Sequence, residues 1–433
     1  MARRYHIGSK LADLEFGGKF RNAHKFDNVI RYTFRPTGSV PLTQFPGRFS
    51  NDNYYDGSYK LGPNPSYQDV FAFYTANQSS FTTGTDYRFQ FNYVEKVSAG
   101  YVMNTIDFNR VRLIAGVRIE GTNLDTRNPT VNPAHQITGF RTDSGSYVTV
   151  LPSASVRFAL TTNANLRLVY SRGMSRPDPQ SIAQAVSIDD SVTPNRVTLG
   201  NPNLKAESAQ NADVLFEYYL NPFGTIQAGY FYKSLSDPIV SQTCVPRAVS
   251  QPFPGSRVTQ PINAGSGWVS GFEAAYLQHL AFLPGPLRGL GVSANYGYTA
   301  SRANGLPGRS DHPRLLRSAP HTWNISPTYD RGRISVRLGL SYNAANIFSY
   351  QFSDGTPGGI NGPPGDQYFY PHLQIDVQGS VRLTHGLSFI AYGLNLNNEV
   401  FGFYFGSPQY MIQREFYKPT FAAGFRWSPP HEK

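Results

Sequence analysis

Apolar and polar side chains alternate along much of the chain, so that every second residue belongs to the same chemical class. The alternation is sharpest over 110–120, where the odd positions hold Val, Leu, Ala, Val and Ile and the even positions include three arginines and a glutamate. The same period of two recurs over 290–299, 334–343 and 373–378. A period of two places alternate side chains on opposite faces of an extended backbone, so these segments predict β-strands rather than helices.

Extended along the chain, this pattern predicts fifteen strands with connections of two kinds. Short turns are predicted around 22–24 and at 108–109, 161–163, 221–224, 282–286, 330–332 and 384–386. Long loops rich in Gly, Pro, Ser and Asn are predicted at 35–96, 122–145, 173–207, 235–265, 301–318, 345–371 and 398–415. The strands are predicted near 11–21, 25–34, 97–107, 110–121, 146–160, 164–172, 208–220, 224–234, 266–279, 288–300, 319–329, 333–344, 372–382, 387–397 and 416–427. Short and long connections alternate without exception.

This alternation of connections is typical of a transmembrane β-barrel, which has short periplasmic turns, long outer loops and strands of ~9–11 residues. A soluble β-sandwich has no reason to collect its long loops at one end. An arginine facing lipid at mid-bilayer costs roughly 2–4 kcal/mol, so Arg110, Arg112 and Arg118 are expected to face a wet lumen. We therefore expect an all-β fold, an antiparallel transmembrane β-barrel, with the whole of 1–433 as one barrel domain.

The parity of the strand count predicts that this barrel has further strands. If the last strand ends in the periplasm, the first of fifteen strands begins on the outer side. Single-chain bacterial barrels instead close with an even number of strands and both termini in the periplasm. Residues 1–6 contain two arginines without an apolar run behind them and do not form a signal peptide. We expect a C-terminal fragment of a larger barrel, although one missed strand within 35–96 would reverse the parity.

Composition and charge exclude other classes of protein. Charged residues are 15% of the chain, against roughly 25% in ordinary soluble proteins, and no stretch approaches the ~18 apolar residues of a membrane-spanning helix. The net charge is +11, but no run of Lys and Arg concentrates it, so we expect no nucleic-acid partner. Cys244 is the single cysteine, which excludes an internal disulfide framework and leaves an unpaired thiol in a loop.

One block of sequence carries a family resemblance. Residues 200–208 read GNPNLKAES, and NAD at 211–213 and EYY at 217–219 follow. This block resembles the C-terminal barrel of TonB-dependent outer-membrane receptors, in which a GNP-x-L-K-x-E loop enters a strand that ends in an EYY-like sequence. Weaker matches to the same family occur at 151–153, 166–172, 175–177, 231–233, 269–273 and 394–399.

The resemblance implies a function in active uptake. Members are described as importers with a 22-stranded barrel, an N-terminal plug and a short box that contacts TonB. It implies that this chain holds strands 8 to 22 and lacks the plug. The implied location is the outer membrane of a Gram-negative type of cell. The implied partners are TonB (through the missing N-terminal region), outer-membrane lipid and lipopolysaccharide, the barrel-insertion machinery and a small nutrient ligand, either a siderophore or a saccharide. Residues 428–433 depart from the family's usual terminal aromatic residue.

Two aromatic loops are candidates for contact with the ligand, because aromatic faces stack on sugar rings or siderophores. Packing of the loops against each other is the competing interpretation, and we favour it. The candidate residues are Tyr350, Phe352, Tyr368, Tyr370, Phe403, Tyr404 and Phe405.

Charged residues on the predicted lumen face form a second group. A solvated wall of mutually paired charges is the expected interpretation, and contact with a plug or an anionic substrate is the alternative. The group comprises Arg110, Arg112, Arg118, Arg167, Glu217, Arg337 and Asp376.

Enzyme motifs are weak in this sequence. Residues 289–294 match G-x-G-x-x-A, but a strand pattern follows where a dinucleotide site needs a helix. The nine histidines form no metal-binding pair, and neither a nucleophile elbow nor a P-loop is present. We therefore expect no enzyme activity, no metal and no cofactor. A passive or structural barrel without TonB coupling is the main alternative function, and a barrel hydrolase would need a Ser and His pair that nothing here nominates.

Overall fold

The structure is a computed structural model of the chain. It describes residues 2–54, 57, 59–86, 90–131, 136–182, 186–189, 193–243, 253–351, 362–384 and 386–428. Cys244 and Phe352 lie outside the described residues.

Strands dominate the described residues, with two short α-helices, α1 (Tyr67–Ala76) and α2 (Pro179–Ile182). The strands are β1 (Ala2–Ile7), β2 (Lys10–Asn28), β3 (Arg31–Pro36), β4 (Asn51–Tyr54), β5 (Tyr59–Leu61), β6 (Phe81–Asp86), β7 (Gln90–Phe108), β8 (Val111–Val131), β9 (Ile137–Ala159), β10 (Ala164–Ser175), β11 (Ser187–Asp189), β12 (Arg196–Thr198), β13 (Glu207–Leu220), β14 (Gly224–Ser236), β15 (Ile239–Thr243), β16 (Arg257–Asn263), β17 (Ser266–His279), β18 (Leu290–Asn304), β19 (His321–Arg331), β20 (Ile334–Asn343), β21 (Asn346–Ser349), β22 (Gln367–Phe369), β23 (His372–Thr384), β24 (Leu387–Leu394), β25 (Val400–Phe405), β26 (Met411–Phe416) and β27 (Thr420–Trp427). Neither helix is long and apolar enough to cross a membrane.

One sheet of fifteen strands forms the wall. Its order is β1, β2, β7, β8, β9, β10, β13, β14, β17, β18, β19, β20, β23, β24 and β27. Every neighbouring pair in this order is antiparallel. The predicted fold class is therefore confirmed, together with the number of wall strands. Within the described residues, no ladder joins β1 to β27.

The two faces of the wall differ in character, as β13 illustrates. Val214, Phe216 and Tyr218 are exposed on one face, by 43%, 37% and 38%, whereas Glu217 on the opposite face is buried. A continuous row of exposed apolar side chains is unfavourable in water and stable against hydrocarbon. The outer face therefore has the character of a lipid-facing surface.

The first predicted hairpin is misplaced, and its turn lies elsewhere. The structure turns at Gly8 and Ser9, and β2 continues through 22–24, where Asn22 pairs with Lys96 and His24 with Val94. Gly8 has a φ of +60°, a left-handed conformation that glycine adopts without steric strain. The polar sequence at 22–24 suggested a turn, but a strand that extends beyond the bilayer into water tolerates polar residues on both faces.

The loop predicted at 122–145 is also wrong. β8 continues to Val131 and β9 starts at Ile137, and the two strands pair over most of this range, for example Asp125 with Ser144. Polar residues on both faces hide the alternation on which the prediction depended.

The other long connections contain structure of their own. A six-stranded sheet has the order β15, β16, β12, β11, β6 and β3; a four-stranded sheet has the order β21, β22, β25 and β26; and β4 pairs with β5. Helix α1 begins after Ser66, whose hydroxyl accepts a hydrogen bond from the Asp69 N–H. Segments predicted as plain loops are therefore ordered small sheets.

Candidate functional site

The long connections leave the wall at one end. Consecutive wall strands are antiparallel neighbours, so their connections alternate between the two ends of the sheet. The extended connections join β2 to β7, β10 to β13, β14 to β17, β18 to β19, β20 to β23 and β24 to β27. This end therefore carries the small sheets, and loops from different hairpins lie close enough there to form a shared cavity.

A cavity of about 860 Å³ lies among these connections. The connection after β10 contributes Arg176, the connection between β14 and β17 contributes Arg257, and the next contributes Arg317. Tyr350 and Gln351 line it from the connection between β20 and β23. Four separate hairpins thus meet at one cavity, which is a typical arrangement for a small-molecule site.

The cavity is positively charged. Its lining includes four arginines and two carboxylates, so its formal charge is +2, and the ionisable residues are Arg176, Arg196, Arg257, Arg317, Asp178 and Glu207. Arg196 and Arg257 occupy paired positions on β12 and β16, which run parallel. The two strands therefore place two guanidinium groups at one register position of the cavity lining.

Arg176 connects the cavity to the wall. Its Nη2 lies 2.5 Å from Glu120 Oε2, and its Nε lies 3.5 Å from Glu95 Oε1. Glu95 lies on β7 and Glu120 on β8, where both are buried. The same guanidinium therefore lines the cavity and neutralises carboxylates of the wall.

Arg309 and Asp366 fix the opposite side of the cavity. The Gln351 N–H donates to Asp366 Oδ1 over 2.7 Å, and the Gln351 carbonyl accepts from Arg309 Nη1 over 3.0 Å. The neighbouring Tyr350 hydroxyl donates to the Arg314 carbonyl over 2.7 Å. Both cavity-lining residues are thus held by the connection between β18 and β19.

Ionisation reinforces this anchor. The hydrogen bonds from Arg309 lower the pKa of the Asp311 carboxyl, and the hydrogen bonds to Asp311 raise the pKa of Arg309. Burial raises the pKa of the Tyr350 hydroxyl, and the charge of Asp366 raises it further. At neutral pH Arg309 is therefore a cation, Asp311 an anion and Tyr350 a neutral phenol.

The predicted aromatic residues mostly contact one another. Tyr368 stacks on Tyr404 with ring centroids 5.3 Å apart, and Tyr370 contacts the other side of this pair at 4.7 Å from Tyr404. Phe403 packs against Phe348 at 5.0 Å and Phe369 at 4.9 Å. These contacts build the four-stranded sheet.

Their contact with a ligand stays a prediction. Tyr350 lines the 860 Å³ cavity, and Tyr370 lines a second cavity of about 700 Å³. Phe405 is 38% exposed at the end of β25. Phe352 lies outside the described residues.

The charged residues predicted for the lumen lie mainly in pairs. Arg167 Nε donates to Glu217 Oε2 over 3.0 Å, and Arg118 Nε donates to Glu120 Oε1 over 2.6 Å. The remaining members are dispersed. Arg112 lies 3.5 Å from Asp107, and Arg110 is exposed in the turn before β8. Arg337 donates a hydrogen bond to the Ser326 hydroxyl. Asp376 accepts hydrogen bonds from the Gln374 side chain and the Asn395 N–H.

The residues that organise the site, Arg176, Arg309 and Asp366, were not among the predicted site residues. Arg176 was noted only as part of the Ser175-Arg176-Pro177 motif, and Arg309 and Asp366 stood in loops without periodicity. A useful signal was available for Arg176, because proline ends the strand directly after it and leaves the arginine at the wall's edge. Nothing local indicated that Arg309 and Asp366 would meet. Among the described residues, no group of three or more His, Cys, Asp or Glu side chains is placed to hold a metal ion.

Known proteins share the family and the fold of this chain. Residues 3–398 match a family model described as TonB dependent receptor-like, beta-barrel. No curated protein sequence matches the chain.

Solved structures share the fold at low sequence identity. The ferric-catecholate import receptor Fiu of E. coli K12 in its closed form has a TM-score of 0.61 at 15% identity, covering 98% of this chain and 53% of Fiu. The ferric citrate transporter FecA has a TM-score of 0.58 at 12% identity, with coverage of 98% and 53%. The siderophore receptor PiuA of Acinetobacter baumannii has a TM-score of 0.56 at 12% identity, with coverage of 92% and 51%. This chain therefore spans about half the length of these structures.

Proposed function

The chain belongs to the TonB-dependent receptor β-barrel family, and from this membership we propose that it acts in the outer membrane in active uptake of a scarce nutrient. In this proposal the nutrient first binds in the arginine-lined cavity among the outer connections. Energy passed through TonB then admits it to the lumen. The family and its structural neighbours are receptors and transporters rather than enzymes, so the proposed event is binding and translocation without covalent chemistry.

The charge of the cavity is the observation that carries the choice of ligand. The four lining arginines favour an anionic ligand, and the paired positions of Arg196 and Arg257 favour it further. A neutral saccharide would form no ion pair with these arginines. We therefore propose an anionic metal chelate of the siderophore class. The ferric-catecholate import receptor Fiu and the siderophore receptor PiuA, which share the fold, are consistent with this choice.

The unpaired edges of the wall support a barrel completed by further strands. Within the described residues, β1 and β27 each have one edge without a partner strand, and unpaired backbone groups would be costly in hydrocarbon, where water cannot satisfy them. We propose that residues 1–433 contribute one part of a single barrel wall, with a plug and a TonB-contacting segment belonging to the complete receptor.

An uptake experiment tests this function. Cells whose only route for a ferric siderophore is this receptor should accumulate radioactive iron, and deletion of the receptor or of TonB should abolish accumulation. Uptake that persists without TonB would indicate a passive channel. Growth on an oligosaccharide that depends on the receptor, without iron uptake, would contradict the proposed ligand class.

A further inference from the structure

We propose that Arg176 is a shared cation that an anionic ligand draws away from the wall, so that occupation of the cavity changes the charge balance between β7 and β8. This inference rests on the proposed function of the cavity as an anion site. Arg176 would contact the ligand directly, and its movement toward the ligand would change the ion pairs of the wall.

Arg176 lies between the cavity and the wall and contacts both. It follows the last residue of β10 directly, lines the cavity and is 26% exposed. Its Nε is buried and has no hydrogen-bond partner among the residues that the structure describes. Its contact with Glu95, at 3.5 Å, is an ion pair without a well-directed hydrogen bond. The contact with Glu95 is therefore the weaker of the two, and the contact with Glu120 is the one with which a ligand in the cavity would compete.

The wall carboxylates do not depend on Arg176 alone. Glu95 also accepts from Arg21 and from the Tyr93 hydroxyl, the latter over 3.3 Å. Glu120 also accepts from Arg118 over 2.6 Å. Movement of Arg176 toward a ligand would thus leave neither buried carboxylate without a cation, which avoids the large penalty of a buried unpaired charge.

The balance of charges around Glu95 and Glu120 also indicates that Arg176 can move without leaving a carboxylate unpaired. Arg21, Arg118 and Arg176 face Glu95 and Glu120, so the cluster has one positive charge in excess. An anion in the cavity can use this excess, whereas a strictly balanced cluster would have to break a pair to supply it.

The ligand and the two carboxylates then compete for one guanidinium. Removing Glu120's charge should strengthen ligand binding, because the competitor is weakened. Removing the charge of Arg176 should weaken binding. A purely structural role for the Arg176–Glu120 contact predicts instead that both changes weaken binding, since either would disorder the same edge of the cavity.

The test is a set of equilibrium titrations of the full-length receptor with ferric citrate as the anionic probe. Arg176→Gln should weaken binding by about 10- to 100-fold, the scale of a lost hydrogen bond to a charged group. Glu120→Gln should tighten it by about 3- to 10-fold. Glu95→Gln is a second variant with the same expected direction, in case Glu120→Gln does not fold.

Matched controls come from the wall pair Arg167 and Glu217, which has similar geometry and does not line the cavity. Arg167→Gln and Glu217→Gln make the same charge changes and should leave the affinity within about 2-fold, because screening weakens charges at longer range. Failure of the wild-type receptor to bind ferric citrate would overturn the proposed anion site. Binding by the wild type that is unchanged in Arg176→Gln, or weakened in both carboxylate variants, would overturn only the role of Arg176.

Discussion

Arg309 and Asp366 form a bidentate pair that joins two outer connections of the barrel. Nη1 and Nη2 of Arg309 lie 2.7 and 2.9 Å from the two carboxylate oxygens, and the side chains are 2% and 1% exposed. Asp311 accepts from Nε and Nη2, and the Gln351 carbonyl accepts from Nη1. All five N–H groups of the guanidinium are therefore satisfied. The buried pair fixes a wall of the cavity without lining it.

Replacing Asp366 should loosen that wall. In Asp366→Asn the Arg309 cation stays buried with one carboxylate fewer, and the Gln351 N–H loses a charged acceptor. Breaking a buried pair in this way costs roughly 3–5 kcal/mol. Hydrogen exchange of the Gln351 amide should accelerate accordingly, while amides in the middle of β20 stay protected.

Asp311→Asn is the matched control, because it removes a carboxylate from the same guanidinium. The Asp311 side chain is 33% exposed, against 1% for Asp366, so its loss should cost less than the loss of Asp366 and should not remove the acceptor of the Gln351 N–H. Equal acceleration of Gln351 exchange in both variants would contradict the anchoring role of Asp366.

The pH dependence of this anchor follows from Asp311. Its pKa is lowered in the folded protein by the hydrogen bonds from Arg309. A carboxyl with a lowered folded pKa adds stability above its unfolded pKa, near ~3.9 for Asp, and that stability is lost as the pH falls through the folded value. Proteolysis of the connection between β18 and β19 should therefore be constant at neutral pH and increase only in acid. The Asp311→Asn protein should lack this acid step, and a step near neutral pH would contradict the assignment.

Two adjacent residues of β10 test which face of the wall meets lipid. Leu168 is 40% exposed on the outer face, whereas Val169 lies on the inner face opposite Asp213. An arginine on the lipid face near mid-bilayer costs roughly 2–4 kcal/mol. Leu168→Arg should therefore lower the free energy of unfolding in lipid vesicles by about this amount. Val169→Arg should be tolerated, since Asp213 can pair with it in a wet lumen. Similar losses in both variants would contradict the assignment of the faces.

The wall could be predicted from sequence because bilayer physics imposes a simple pattern on it. Hydrocarbon requires an apolar residue at each outward position, so strands such as β13 and β20 alternate clearly, and their turns fall close to the predicted positions. The alternation stops where strands enter water. For that reason 22–24 suggested a turn and 122–145 a loop, although both ranges lie mostly in β-strands.

The site was harder to predict because its contacts link distant parts of the chain. Arg309 and Asp366 are 57 residues apart, and Arg176 and Glu120 are 56 apart. No periodicity relates such residues, and their pairing depends on how loops fold over the barrel's end. The aromatic clusters were visible as composition, but sequence could not distinguish packing of Tyr368 on Tyr404 from contact with a ligand.

The paired arginines of the cavity predict opposite effects on stability and binding. Arg196 and Arg257 occupy the same register position on neighbouring strands, and like charges at neighbouring positions repel each other. Arg196→Gln should therefore make the six-stranded sheet slightly more stable, measured as slower hydrogen exchange in β12 and β16. The same variant should bind ferric citrate more weakly, by about 3- to 5-fold, because Arg196 is exposed and an exposed charged contact is worth up to about 1 kcal/mol.

The opposite signs distinguish a binding arginine from a structural one. An arginine retained for folding would lower both stability and affinity when replaced, whereas one retained for an anion lowers only affinity. Arg288 provides the control, because it lies in the turn between β17 and β18, at the other end of the wall. Arg288→Gln makes the same charge change and should alter neither measurement. Weaker protection of β12 in Arg196→Gln would contradict the view that the repulsion between Arg196 and Arg257 is maintained for the ligand.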